Sequence, residues 1–428
     1  MRSALTQLIL SSVMMTQSSF ALTPNAKALV FFETRSNAAA IRSNESLMIP
    51  HFEIPLDLLE VNFADRFSEN IQKHLIFERD GVKFVRWILN PEDTKWHHEV
   101  AAHFKAKGLE LEKKYYFKGY QTASRSYIVE DPNQEIQFSV KSSTNKTGGS
   151  WRDKKQPVGE AVDSRLNADL IDMIQKKLKF QNIIIMDEPA ILKLSAIDQA
   201  VVIRDLAELN NPNSDKIYVP GFSVLHETTG LEIAKRNGSN DPYAFWTEHY
   251  IKPVGRALGE FAARTGMQFD SPHSQNFLVE FDSQLKPTGR IVFRDLADLY
   301  INKKFVKVLL SEAQTYLKFF SQKENITTDI QAGFGPLHGN EAPLWISQKE
   351  YNRWKNIFFK HFELSFHEHS GLPIPAFKTT EGYINGKYFS NAYELSKERG
   401  VTTDFWKNMR KYQNPLGKLN CSFVFLTN

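Results

Sequence analysis

The stretch 271–300, SPHSQNFLVEFDSQLKPTGRIVFRDLADLY, constrains this chain more than any other. Phe277–Phe281 and Arg290–Phe293 are apolar runs of strand length, and Lys286-Pro287-Thr288-Gly289 between them carries turn residues. This pattern predicts a β-hairpin with its turn at 286–289. Folding the chain back there returns Asn276 and Asp295 to one open end. An amide oxygen beside a carboxylate is the hard oxygen pair that Mg²⁺ prefers, with phosphates completing its shell. His273 stands ahead of the first strand, where it can donate to or accept from a phosphate or a leaving group. Arg294 adds a rigid fork of donors for an anion.

An Asn before a hairpin and an Asp after it also share the metals in the catalytic loop of protein kinases. Spacing alone equally admits a surface hairpin with a satisfied His and an Arg–Asp pair. A second cluster, KSSTNKTGGSWR at 141–152, follows a predicted strand. There Lys141, Ser143, Lys146, Thr147 and Arg152 surround Gly148-Gly149. A glycine-containing loop lets backbone N–H groups approach phosphate oxygens, and hydroxyls and cations add donors. The spacing is not that of a P-loop, and a solvated loop is the plainer reading of the cluster alone.

The rest of the chain reads as α+β. The segment 124–143 alternates about Asp131-Pro132-Asn133 as a hairpin, and 182–189 and 199–206 have strand character. Helical spacing runs over 93–107 (stopped by Gly108), 166–180, 241–267 (broken at Pro253), 303–322 and 347–371. The expected organisation is a leader at 1–21, a mixed region at 22–123, a sheet-rich region at 124–235 and a mainly helical part with the hairpin at 236–428. With 428 residues, 42% of them hydrophobic, the chain can bury more than one core. The 53 basic and 49 acidic residues nearly balance, and no Lys/Arg run points to nucleic acid. No run approaches the roughly 18 apolar residues of a membrane span.

The first residues combine Arg2, a modest apolar run from Leu5 to Met15, and Ser19-Phe20-Ala21 at a cleavage site. This predicts a secretory leader cut after Ala21 and an exported protein; an ordinary first helix, in a cytoplasmic protein, stays open. Cys421 is the only cysteine in the sequence, so no intrachain disulfide can form. His361, His367 and His369 lack a matching ligand set and read as partly exposed helix residues, as does the pair His97-His98. Aromatic stripes at Phe319, Phe320, Trp354, Phe358 and Phe359 read as core packing.

Taken in order, four segments resemble the siderophore synthetases that work without a nonribosomal peptide synthetase, the aerobactin-synthetase-like family. They are KSSTNKTGGSWR, DEPAILKLS…VVIRDLAEL, the helix before the hairpin, and HSQNFLVEFD…GRIVFRDL, spanning about 130–300. The resemblance implies a cupped-hand fold of thumb, fingers and palm. It implies ATP and Mg²⁺ as cofactors, and a small carboxylic acid of the citrate type with an amine or alcohol as substrates, joined through an acyl-adenylate. It assigns Lys141, Ser143, Thr147 and Arg152, with Arg294, to the nucleotide, and Arg204, beside Glu188, to the acid or α-phosphate. It assigns His273 to the reacting phosphorus, and Asn276 and Asp295 to Mg²⁺. The chain departs from the family at Ser271, where a Glu is usual, and in the leader. These departures keep a second reading open, an exported non-catalytic binding protein on the same fold. Nothing in the sequence decides whether the protein is a homo-oligomer.

Overall fold

The computed structural model describes residues 22–36, 46–122, 125–145, 153–205, 211, 213–269, 274–301 and 345–370, with single positions and pairs between 306 and 384. The expected leader, Cys421 and most of the helix expected at 303–322 lie outside these residues. No helix among the described residues is long and apolar enough to cross a membrane. The chain divides into two compact units, one of residues 1–161 and 186–219 and the other of 162–185 and 220–428. Its class is α+β, as the sequence leads one to expect.

The first unit is built on β1 (Leu47–Pro55), β2 (Glu60–Phe63), β3 (Ile76–Arg79), β4 (Val82–Ile88), β5 (Lys114–Gln121), β6 (Ser126–Glu130) and β7 (Gln137–Lys141). After β8 (Ile183–Ile185), which belongs to the other unit, it adds β9 (Ala190–Leu194) and β10 (Gln199–Arg204). Nine strands form one sheet in the order β2-β9-β10-β7-β6-β5-β1-β4-β3, and neighbouring strands pair antiparallel. Strands on either side of residue 123 therefore share one sheet.

One face of the sheet carries the core. Val85 and Trp87, Tyr127 and Val129, Phe138 and Val140, and Val201 and Ile203 recur at every second position of their strands, because successive side chains of a strand point to opposite faces. In β1 the alternation breaks between Ile49 and Phe52, both in the core. A register shift at Ile49/Pro50 against β5 restores the phase, as a bulge does. The helices Glu69–Leu75 and Trp96–Lys105 cover this core with Ile71 and Leu75, and with Val100 and Phe104.

The β6–β7 turn is closed by Asp131, whose carboxylate accepts from Asn133 N at 2.9 Å and Ile136 N at 2.8 Å. Asp131 also lies with His74 and Glu135 in a group with metal-ligand atoms. Its oxygens are engaged in the turn, His74 Nδ1 meets the Tyr116 hydroxyl at 2.7 Å, and the Arg86 guanidinium stacks 3.9 Å over the Tyr116 ring. This cluster is built as a turn cap with its own cation.

In the second unit the expected helix at 241–267 is split. Asp241 caps Pro242–Trp246 by accepting from Ala244 N at 2.9 Å. A π turn over Thr247–Ile251 then leads into Lys252–Thr265, with Pro253 in its first turn. Proline has no N–H to donate to the preceding turn, so the ladder is re-phased there. Helix Lys252–Thr265 packs on Gln348–Ser370 through Gly255 and Gly259. A Cβ at Gly255 would lie 2.7 Å from the Phe358 carbonyl oxygen, and one at Gly259 2.3 Å from that of Phe362. Only glycine permits that approach.

The hairpin strands are β11 (Phe277–Phe281) and β12 (Pro287–Phe293), and β12 pairs in parallel with β8. Phe269 meets Phe277 and Phe293 edge to face, with ring centroids 5.7 and 5.4 Å apart. The turn lies earlier than the sequence suggested. Asp282 Oδ1 accepts from Gln284 N and Lys286 N, both at 2.9 Å, and closes a loop over 282–286. Pro287 starts the strand instead, opposite Phe281, a position that needs no N–H from it.

Candidate functional site

In the first unit the face of the sheet opposite the core sets buried polar and charged residues among apolar ones. Lys141 on β7 faces Val202 on β10 and Ser126 on β6. Ser139 faces Arg204 and Ile128 in the next row along that face. Lys141, Ser139 and Arg204 are each about 5% exposed. Burying a Lys and an Arg on one face requires anionic partners. Arg204 Nε donates to Glu188 Oε1 at 2.6 Å, and Glu188 is itself buried. Next to Glu188, Asp187 receives Arg66 through two bonds, Nε to Oδ2 at 2.6 Å and Nη2 to Oδ1 at 2.8 Å. The Asp187 carbonyl also accepts from Asp205 N at 2.9 Å. The DEP segment thus fastens the end of β10 and orients Arg204.

Ser143 lies just past Lys141, buried, and its Oγ accepts from Gln156 N at 2.8 Å. Thr144 and Lys154 form an isolated bridge, with backbone bonds of 3.0 and 2.8 Å. The same base is gripped from residues 93–96. Asp93 Oδ1 accepts from Asn145 N at 3.1 Å, and Asp153 accepts from Lys95 Nζ at 2.5 Å and Trp96 Nε1 at 2.8 Å. Asp93 Oδ2 accepts from His97 N at 2.7 Å and lies 3.0 Å from His97 Nδ1. Burial pushes the Asp93 carboxyl up, but bonds from His97, Trp96 and Asn145 prevail and hold it below the usual range. His97 is therefore a buried partner of Asp93 and not half of an exposed pair, whereas His98 is exposed. Helical phase puts His97 on the core side, with Val100 and Phe104.

Thr147 and Arg152 lie outside the described residues, as does His273. Of the expected nucleotide set, Lys141 and Ser143 are adjacent on and after β7. Ser139, two residues before Lys141, joins that polar face and was not singled out from the sequence. The alternation QFSVK in β7 was the available signal, since it puts Ser139 and Lys141 on one side. Arg66 lay too far from Asp187 in sequence for any local pattern to reveal the pair.

In the second unit, Asn276, Arg294 and Asp295 gather at the open end of the hairpin. Phe277 pairs with Phe293, and beyond them Arg294 N donates to the Asn276 carbonyl at 3.1 Å. Arg294 Nε donates to the Gln275 carbonyl at 2.8 Å, which draws the guanidinium back along the hairpin end. Asn276 is buried, and its Nδ2 has no hydrogen-bond partner among the described residues. Asp295 is half-buried and adopts φ 67°, ψ 65°, a left-handed conformation uncommon outside glycine. It precedes the 3₁₀ turn Leu296–Asp298, yet its carboxylate makes no capping bond to that turn. Such strain persists where the surroundings over-determine the backbone, and it is common at binding sites. The unmet Asn276 Nδ2 is a donor and suits a phosphate or water oxygen, while the amide Oδ1 and the Asp295 carboxylate are the hard oxygens that a Mg²⁺ ion takes.

Among the other expected residues, His361, His367 and His369 lie on helix Gln348–Ser370, and His369 Nδ1 meets Arg264 Nη2 at 3.1 Å. A two-residue spacing on a helix turns His367 and His369 apart, which leaves no shared metal site. Trp354, Phe358 and Phe359 are core residues; Phe319 and Phe320 lie outside the described residues.

No family profile matches the sequence. Among curated proteins, a 117-residue stretch is 29% identical to trehalose-phosphatase of Saccharomyces cerevisiae, covering 25% of this chain and 13% of the phosphatase. The chain thus spans only a small part of that relative. Among solved structures, ATP-bound aerobactin synthetase IucA from a hypervirulent Klebsiella pneumoniae pathotype has a TM-score of 0.53 at 12% identity, over 91% of this chain and 74% of that one. Petrobactin biosynthesis protein AsbB of Bacillus anthracis strain Sterne has a TM-score of 0.54 at 12% identity, over 85% and 71%. The protein therefore has a siderophore-synthetase-like fold.

Proposed function

We propose that this protein is an ATP- and Mg²⁺-dependent ligase that condenses a small carboxylic acid of the citrate type with an amine or alcohol. The observation that carries this reading is the hairpin end, where Asn276, Arg294 and Asp295 converge on a fold shared with a synthetase solved with ATP. In the first step a carboxylate oxygen of the acid attacks the α-phosphorus of ATP. The new O–P bond forms as the bond to pyrophosphate breaks, and pyrophosphate leaves with the electron pair. The amine or hydroxyl then attacks the acyl carbon, AMP departs, and the nucleophile loses its proton.

Negative charge builds on the phosphates in the first step, so fixed cations that meet it there lower the barrier. Lys141, Ser143, Thr147 and Arg152 hold phosphates, Arg204 meets the acid or α-phosphate, and Arg294 adds a second guanidinium. His273 donates to the reacting phosphoryl group. Asn276 and Asp295 would hold Mg²⁺, which would supply charge neutralisation of the phosphate oxygens. The expected leader would place the protein outside the cytoplasm; finding Leu22 at the N-terminus of the purified protein would support export.

Acyl-adenylate formation is reversible, which provides the test. Purified protein should exchange labelled pyrophosphate into ATP with at least one acid from a panel headed by citrate, succinate and 2-oxoglutarate. His273→Ala should lower the exchange roughly 100-fold, the usual scale for losing one such donor. Asp295→Asn keeps a residue that tolerates the left-handed backbone while removing the charge. It should weaken Mg²⁺-dependent ATP binding in calorimetric titrations and leave the fold intact. ATP binding with no exchange across the whole panel would instead leave a non-catalytic nucleotide-binding protein.

A further inference from the structure

The left-handed Asp295 is held from both sides. On one side Arg294 is tied to the hairpin through the Asn276 and Gln275 carbonyls, at 3.1 and 2.8 Å. On the other, the carbonyl of Leu296 accepts from Asn167 Nδ2 at 2.7 Å. Asn167 is in the middle of helix Val158–Lys177 and is fully buried. An amide there is an expensive choice, because a buried polar group is tolerated only where it is bonded. Its Oδ1 is buried with no hydrogen-bond partner, so the side chain is half satisfied. Asn167 follows a turn that also buries Asp163, Ser164 and Arg165, and beyond it Leu170, Ile171 and Ile174 are apolar.

We propose that Asn167 is a positioning residue for Asp295. Its bond to the Leu296 carbonyl anchors the Leu296–Ala297 peptide, one residue beyond Asp295, and so braces the turn that Asp295 enters from the left-handed region. That backbone in turn keeps the carboxylate away from the 3₁₀ turn it would otherwise cap and presents it beside Asn276. The inference rests on the reading of Asp295 as a Mg²⁺ ligand.

The test is calorimetric titration of full-length protein with ATP over a series of MgCl₂ concentrations. In wild type, Mg²⁺ should strengthen ATP binding. In Asn167→Ala, the Mg²⁺ concentration giving half of that effect should rise about tenfold or more, while metal-free ATP affinity stays within twofold. In an Asp295→Asn background the same change should have no further effect on Mg²⁺ dependence, because the ligand it positions is already lost. Asn167→Leu, of similar size and apolar, replaces the alanine variant if that one fails to fold. A folded Asn167 variant with wild-type Mg²⁺ dependence would overturn the inference. So would an effect that adds in full to that of Asp295→Asn, since it marks a general structural role. If wild type itself shows no Mg²⁺ dependence, the metal reading of the hairpin falls first and this inference with it.

Discussion

Glu363 is on helix Gln348–Ser370, about 8% exposed, and burial pushes its carboxyl from 4.5 up to about 7. A folded state with the higher pKa binds its proton more tightly than the unfolded chain does. Between about pH 4.5 and 7 folding therefore takes up protons, and stability falls as pH rises through that window. Each pKa step is worth about 1.36 kcal/mol, so the full loss is about 3 kcal/mol. His361, two residues earlier, slopes the other way. Burial comes first, then Arg256, then Lys252 and Lys360, against Glu248, and together they lower its imidazole from 6.5 to about 4. Its contribution is fully present above pH 6.5 and is lost as pH falls toward 4. His361 is partly exposed, which trims that contribution to about 2 kcal/mol after solvent screening.

The two slopes oppose each other in wild type. Glu363→Gln, neutral at every pH, should unmask the histidine. Its stability should match wild type near pH 4 and exceed it by up to about 3 kcal/mol at pH 8. His361→Gln should do the reverse, gaining at acid pH. Urea denaturation followed by tryptophan fluorescence at pH 4.5, 6 and 8 measures both, with Trp246 and Trp354 as buried reporters in the same unit. If Glu363→Gln and wild type run parallel across this range, burial of Glu363 is not costing the folded state a charge, and the reasoning fails.

Gly259→Ala should destabilise the second unit by about 1–3 kcal/mol or more, because backbone of the facing helix cannot retreat as a side chain can; thermal unfolding checks this, and an unchanged melting temperature would show that the two helices separate freely. Arg204→Met should cost about 3–5 kcal/mol by stranding the buried Glu188 carboxylate without its guanidinium, and Arg204→Met with Glu188→Leu should recover most of that. A single variant no worse than the double one would mean the pair is not energetically coupled. Asp295→Asn and Asn167→Ala complete the set and separate the metal ligand from the residue that positions it.

How much was legible in advance can be judged at the hairpin. The apolar runs FLVEF and IVF set the two strands, and their polar flanks set which residues share an end. The turn was misplaced because Pro-Thr-Gly is strong turn chemistry, while the deciding contacts come from Asp282 bonding the amides of Gln284 and Lys286. The full burial of His97 is not legible, because a His-His pair on a helix carries no local sign of the Asp93 carboxylate beneath it.

The sequence by itself determined the α+β class, the hairpin, the helical span that starts at Asp241 and breaks near Pro253, and the types of side chain at the site. These follow from periodicities of two and 3.6 residues and from caps, all of which act within one turn or one strand. Only the tertiary structure decided that β2 lies beside β9, that Ser139, Lys141 and Arg204 share a buried polar face, and that Arg66 meets Asp187 across 121 positions. It alone set the left-handed turn at Asp295 and brought Asn167 to it across 129 positions. Such pairings close long loops at an entropic cost that does not depend on local sequence, and the register they take is fixed by which faces can be buried together.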